Sequence, residues 1–354
     1  MRIALAWNQR DKFLNLNDRP AQDDSPFAWG TLTLGGARAP NVSLLDVRYG
    51  IHEAALIESM SVIIPTRNRV ESLRRLMSSL ETVDVPRTVR IEIILVNNGS
   101  TDDTSRMLQE QLQKFARFSL RVFDQVIPGK CNALNIALRH AEGDVLMVID
   151  DDVTLDSKCL SSHIRTYEST DFAAIQGRIL PGKDPSGRLA DPSRSREYNI
   201  PTLDYGVNVI QIRGLTGTNM SFKREVLDHI GLFDVRLGPG ASGFSEDSEF
   251  SLRVRNAGYK IGYTPDAVVY HELDPKRYGR AYNRDVEYRK GLSRSIYRSD
   301  SIAFRVIPDL LMNCIRYCLY RLFGRTQKAY KTEGRIMKCW GYLMGKSVRR
   351  QSTS

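Results

Sequence analysis

Apolar residues fall along this chain in short runs that alternate with amphipathic stretches. Ser61-Val62-Ile63-Ile64-Pro65 predicts a buried strand, and Val70–Leu80 a helix with Leu73, Leu76, Met77 and Leu80 on one face. The alternation continues with strands expected at Ile91–Val96, Leu120–Phe123 and Val145–Ile149, and helices at Thr101–Phe115 and Ala133–His140. Strands alternating with helices imply βαβ crossovers. The near-continuous Val, Ile and Leu of the strands suits a mostly parallel sheet covered on both faces. After Leu180 the pattern changes: Pro181–Asn199 is rich in Gly, Pro, Ser and charge and reads as a surface loop. Strand pattern resumes at Asn208–Ile212 and Thr218–Phe222. Lys223–Ile230 and Glu246–Asn256 read as short helices stopped by Gly231 and Gly258, and Ala267–Tyr270 as a last strand before His271. Residues 1–58 are weakly patterned and predict a poorly ordered extension, with one short strand expected at Thr31–Leu34.

Composition narrows the class. The chain has 354 residues, 42% hydrophobic and 26% charged, ordinary for a soluble protein of one large domain with appendages or two smaller ones. Its five cysteines (Cys131, Cys159, Cys314, Cys318, Cys339) form no CxxC pair and no metal-ligand spacing with His, which predicts free thiols in a reducing compartment. Met1–Trp7 is too short an apolar run for a signal peptide. The net charge of +10 sits at one end: residues 276–354 hold 19 Lys/Arg against 5 Asp/Glu, whereas the rest holds 32 against 36. Such a basic segment meets nucleic acid or an anionic membrane surface.

Three expected strand ends carry polar residues. Pro65-Thr66-Arg67-Asn68 follows the first strand, Asn97-Asn98-Gly99-Ser100 the second, and Asp150-Asp151-Asp152 the fourth. In a parallel sheet these ends share one rim, where open α/β folds bind ligands. Three adjacent carboxylates repel one another unless a cation or a proton-transfer task compensates them. The plainer reading of the triplet, an acidic turn capping a helix, stands beside that one.

Taken in order, SVIIPTRNR (61–69), ILVNNGSTDDT (94–104), GKCNALNIALRHAEGDVLMVIDDDV (129–153), GTNMSFKREVLDHIGLFDVRLG (217–238), SEDSEF (245–250) and GYKIGYTPDAVVYH (258–271) resemble a family 2 glycosyltransferase of the GT-A fold. The resemblance spans residues 61–271. It implies a Rossmann-like, mostly parallel central sheet flanked by helices over 59–275, with residues 276–354 as a basic, amphipathic helical tail. It also implies a nucleotide-sugar donor, expected to be a UDP-sugar, and Mg²⁺ or Mn²⁺ as cofactor. Carried over by position, Pro65, Thr66 and Arg67 would line the nucleotide pocket, Asn97 would face the base, and Lys130 would approach the diphosphate or base. Asp150-Asp151-Asp152 corresponds to the DxD element, with Asp152 the direct metal ligand, Asp150 a further contact to metal or ribose, and Asp151 serving the donor. Asp247, paired with Glu246, would be the general base of an inverting transfer. Asn219 and the glycine-rich stretch 238–243 would border sugar and acceptor, the glycines giving a loop the mobility to close. His271 would complete the metal site, or serve as a packed structural residue. The family commonly has Asp where Asn97 stands, which loosens the expectation about the base.

The tail offers two readings. Ile302–Phe323 places Phe304, Ile307, Leu311, Ile315, Cys318 and Leu322 on one helical face, and Ile336–Met344 adds Trp340, Tyr342 and Leu343. Such helices either lie in a membrane interface, through 302–346, or pack on the catalytic domain. Charges interrupt any apolar run of about 20 residues, so no membrane span is expected. The tail has no nucleic-acid recognition motif. These readings predict an enzyme at the cytoplasmic face of a membrane, acting on a glycan or lipid-linked acceptor in envelope or exopolysaccharide synthesis. The alternative is a catalytically silent, nucleotide-binding scaffold of the same fold.

Overall fold

The buried strand residues come together in one nine-stranded sheet. The computed structural model describes residues 56–183, 202–274, 277 and 279–352, with side chains as far as Arg349. The strand expected at Thr31–Leu34 and nearly all of the Pro181–Asn199 loop lie outside the described residues, as does the N-terminal extension up to residue 55.

In chain order the elements are β1 (Ser59–Thr66), α1 (Val70–Leu80), β2 (Arg90–Asn97), α2 (Thr104–Lys114), β3 (Ser119–Asp124), α3 (Lys130–His140), β4 (Val145–Ile149), β5 (Val153–Leu155), α4 (Cys159–Ser169), β6 (Ala174–Pro181), β7 (Ile210–Ile212), β8 (Asn219–Lys223), α5 (Arg224–Ile230), α6 (Glu246–Asn256) and β9 (Ile261–His271). Three helices follow: α7 (Arg280–Tyr297), α8 (Ile307–Leu322), entered through a π-helical turn at Ile302–Val306, and α9 (Thr326–Ser352). The sheet runs β3-β2-β1-β4-β8-β6-β9-β5, with β7 also on β9. It is mostly parallel: β1–β2 and β6–β9 each register eight residue pairs and β2–β3 six, whereas the antiparallel pairings span three to five.

Strand alternation sorts the core into two layers. Val62 and Ile64 of β1 face α1, α2 and α4, while Ile63 faces α3, α5 and α6. All eight residues of β1 and all five of β4 are buried, as a sheet covered on both faces requires. The chain reverses at β4, which lies parallel to β1 and antiparallel to β8. The carboxyl ends of β3, β2, β1 and β4 therefore form one continuous rim, with the triple Asp at its β4 end.

Sequence patterning left two stretches unread. Residues 153–181 form β5, α4 and β6, and β9 is eleven residues long where only Ala267–Tyr270 was expected. In the first stretch polar residues obscure the pattern because their partners are internal. His163 bridges Asn219 Oδ1 (3.0 Å) and Ser221 Oγ (2.9 Å), Tyr167 reaches Ser221 Oγ (2.9 Å), and all four side chains are almost wholly buried. Gly177 admits the Asn219 side chain, which a Cβ there would strike.

Candidate active site

At the end of β4 each of the three carboxylates has its own partners. Asp150 accepts from Lys130 Nζ (2.6 Å) and Thr218 Oγ1 (2.8 Å). Burial alone would raise this carboxyl, but the Lys130 ammonium outweighs it and holds the group down at about 2. Asp151 accepts from Thr66 Oγ1 (2.8 Å) and the Arg67 backbone N–H (3.3 Å). Burial, reinforced by the neighbouring Asp152 charge, pushes it up to about 7. Asp152 stands 3.4 Å from His271 Nε2, 3.4 Å from Arg69 Nη2 and 3.7 Å from Arg277 Nη2.

His271, the last residue of β9, faces Asp152 because β9 pairs with β5 immediately beyond the acidic turn, Val153 opposite His271. Its Nδ1 lies 2.7 Å from the Glu272 carbonyl oxygen, which can only accept, so Nδ1 carries a proton and Nε2 is the ring nitrogen turned toward Asp152. Glu272 is itself anchored to α1, accepting from Ser72 Oγ (2.7 Å) and Arg75 Nε (2.6 Å). One ligand atom from each of Asp150, Asp152 and His271 lies within 4.8 Å of the others. Two carboxylates and an oriented imidazole can hold a divalent ion.

Lys130 links this set to the second acidic pair. Its Nζ stands 3.4 Å from Glu246 Oε1 as well as on Asp150. Burial works against its charge, yet Asp150 and Glu246 hold its pKa above the ordinary lysine value. Ser245 turns into α6 with a left-handed φ of 75°, bringing Glu246 and Asp247 to the cleft at the helix start. Asp247 Oδ1 accepts from Ser248 N (2.6 Å). Burial raises both carboxyls, and the Lys130 charge opposes the rise.

The glycine-rich stretch 238–243 is a folded turn. Gly238, Gly240 and Gly243 take φ of 80°, 90° and 103°, values that side chains resist, and Gly243 N donates to Gly238 O (2.8 Å). It packs on the start of α3, where Lys130 N donates to Pro239 O (2.9 Å), and against α7, where Ser242 Oγ meets Ser293 Oγ (2.8 Å). Here the glycines serve the backbone geometry of the turn.

The remaining expected residues divide. Pro65 and Thr66 end β1 in buried positions, and Arg67 is exposed beside them. Asn97 lies on the rim, but its groups are engaged: Nδ2 donates to Ser105 Oγ (2.9 Å) and Asp124 Oδ1 (2.8 Å), and Oδ1 accepts from Ser100 N (3.2 Å). Asn219 is not at the cleft. Fully buried, it donates from Nδ2 to the carbonyls of Arg178 (3.1 Å) and Ala267 (2.8 Å), tying together three strands. The expectation that it borders the sugar is corrected by the β-strand alternation, which turns Asn219 inward. Thr218, one residue earlier, reaches the site instead. Thr218, Arg69 and Arg277 were missed by sequence reasoning. Arg69 closes the first motif and could have been marked there, whereas Arg277 follows no readable pattern.

Comparison with known proteins agrees with this architecture. The sequence model described as "Glycosyl transferase family 2" matches residues 61–231, from β1 through α5. "Probable glycosyltransferase YdaM" of Bacillus subtilis is 25% identical over 282 residues, covering 76% of this chain and 64% of its own length. "Succinoglycan biosynthesis protein ExoM" of Rhizobium meliloti is 25% identical over 223 residues, covering 63% of this chain and 70% of its own. The chain thus spans about two thirds of the length of these relatives. A mannosyltransferase, PcManGT from Pyrobaculum calidifontis, solved with GDP-Man and Mn²⁺, superposes with a TM-score of 0.51 at 18% identity, over 85% of this chain and 76% of that one. The likeness extends the GT-A fold across the sheet and its flanking helices. The three strand-end motifs all lie inside the segment, residues 61–231, that matches glycosyl transferase family 2, and relatives named as glycosyltransferases share that likeness.

Proposed function

We propose that this protein is an inverting, metal-dependent glycosyltransferase that moves a sugar from a nucleoside diphosphate donor, a UDP-sugar, to a hydroxyl of a glycan or lipid-linked acceptor in envelope or exopolysaccharide synthesis. One observation carries the reading: Lys130 spans from the β4 carboxylates to Glu246, so the donor-side and acceptor-side acids share a single cleft.

Asp150, Asp152 and His271 would hold Mn²⁺ or Mg²⁺, and the bound ion would supply positive charge to the leaving diphosphate. Arg69 and Arg277, beside Asp152, would add to that charge. Thr66, the Arg67 backbone and Asp151 would position the nucleotide. Asp247 would take the acceptor hydroxyl proton as that oxygen attacks the anomeric carbon. The bond from carbon to diphosphate oxygen breaks as the new glycosidic bond forms on the opposite face, which inverts the centre. Burial raises the Asp247 pKa and so makes it a better base than an exposed Asp.

The tail extends the reading to a membrane surface. On α8 the buried residue is the polar Asn313, while Leu311, Met312, Ile315, Leu319 and Leu322 are exposed and Phe304 is 90% exposed. An outward apolar face flanked by Arg305, Arg316, Arg321 and Arg325 suits insertion among anionic headgroups. Among the described residues no helix is long and apolar enough to cross a membrane. Cytoplasmic work at the inner face of a membrane belongs to the same proposal.

The test is nucleotide release from a panel of nucleotide-sugars with Mn²⁺. Turnover that disappears with EDTA and falls about 10²- to 10⁴-fold in Asp247→Asn, with nucleotide binding retained, supports the assignment. Full activity in Asp247→Asn removes the base.

A further inference from the structure

The rim extends beyond the acidic cluster to a carboxylate outside the resemblance motifs. Thr66, Asn97 and Asp124 are register partners at the ends of β1, β2 and β3, so their side chains form one lateral row. At the inner end of the row Thr66 donates to Asp151. At the outer end Asn97 Nδ2 donates to Asp124 Oδ1 at 2.8 Å. Asn97 also binds Ser105 and Ser100, which makes it a holder for Asp124 more than a free recognition group. Asp124 is exposed, and among the described residues no ion pair involves it.

Two aliphatic residues follow Asp124 closely in the chain. Val126 and Ile127 are 86% and 72% exposed. Their loop is held at the rim: Gln125 N donates to Asn97 O (2.8 Å), and Pro128 packs over Gly99 so closely that a Cβ there would lie 3.0 Å from its Cγ. A carboxylate with one oxygen pinned, next to two exposed aliphatic side chains, matches a flat ring with apolar faces and a polar edge. The spacing fits as well. Asp124 ends a strand three places from β4, about 14 Å at the usual strand separation, comparable to the reach of an extended nucleoside diphosphate.

We propose that Asp124 reads the nucleobase of the donor and selects a base with a ring N–H, uracil or guanine, while Val126 and Ile127 cover its face. This rests on the glycosyltransferase reading and moves base recognition from Asn97 to its neighbour. An ionised carboxylate only accepts, so it bonds the N3–H of uracil or the N1–H of guanine. It repels the ring-nitrogen lone pair that cytosine or adenine presents at the same edge.

The experiment measures binding of UDP, GDP, CDP and ADP, each with Mn²⁺, to the full chain and to Asp124→Ala and Asp124→Asn, with thermal melts to verify folding. The unaltered protein should prefer UDP or GDP, and the two arms identify which base it takes. Asp124→Ala should weaken that nucleotide about tenfold or more and level the four affinities. Asp124→Asn, its carbonyl still held by Asn97, turns an NH₂ outward and should move the preference toward CDP or ADP. If Asp124→Ala keeps both affinity and discrimination while the unaltered protein binds nucleotide, the inference falls and the functional proposal stands. If the unaltered protein binds none of the four, both fall.

Discussion

Lys130 is the residue on which the electrostatics of the cleft turn. It lowers Asp150, opposes the burial-driven rise of Glu246 and Asp247, and keeps its own charge despite desolvation. Removing it would leave three carboxylates facing one another without a central cation. A pH dependence follows for the proposed base. Burial favours protonated Asp247, so its pKa lies above the ordinary carboxylate value and the active, ionised form is lost as pH falls through that raised value. At saturating metal and acceptor, the acid limb of kcat/KM should lie above about pH 4. A profile flat down to pH 4 would contradict a buried base. Asp150, Asp151, Asp152, Glu246 and Asp247 were legible in the sequence because acids at a strand end and a helix start are local features. The cleft role expected of Asn219 was misread, because only pairing with β4 and β6 decides which way its side chain turns.

At the scale of elements, α4 and β8 are joined by a chain of hydrogen bonds inside an apolar layer. His163 is fully buried, and desolvation pushes its pKa down to about 4. The folded protein resists a proton that the unfolded chain accepts near 6.5. The neutral histidine's contribution is therefore whole above about pH 6.5 and is lost progressively as pH falls toward 4, on the order of 3 kcal/mol in all. Urea denaturation at pH 7.5 and pH 5 should show this loss, and His163→Gln should flatten the difference. An equal pH dependence in that variant would assign it elsewhere. This network was invisible to patterning, since polar residues at buried positions break the alternation that marks a strand or helix.

At the scale of the whole molecule the basic tail acquires two faces. α7 and α9 cross closely at Gly291, Gly341 and Gly345, where any Cβ would strike the facing helix, and α7 also contacts the turn that leads to Asp247. α8 keeps its apolar stripe outward, the observation on which the proposed membrane contact rests. Vesicles of anionic lipid should sediment the protein, more weakly at high salt, and the triple change Phe304→Ser, Leu311→Ser and Ile315→Ser should abolish sedimentation while leaving the melting temperature unchanged. Each of these side chains, buried in lipid, would contribute about 1.5 to 3 kcal/mol. Equal sedimentation of variant and parent would refute membrane docking through α8.

The sequence by itself determined the alternating elements, the buried strands, the acidic strand end and the likeness to a family, because each depends on residues adjacent in the chain or repeating along it. Tertiary structure decided which of those residues meet. Parallel register placed Asp124 beside Asn97, the β5–β9 pairing brought His271 to Asp152, and Lys130 joined two acidic groups 96 residues apart in the chain (Asp150 and Glu246). It also turned α8 inside out, so that Asn313 is buried and its leucines face outward. A helical wheel fixes which side chains share a face. Only the packing of α7 and α9 decides where that face points.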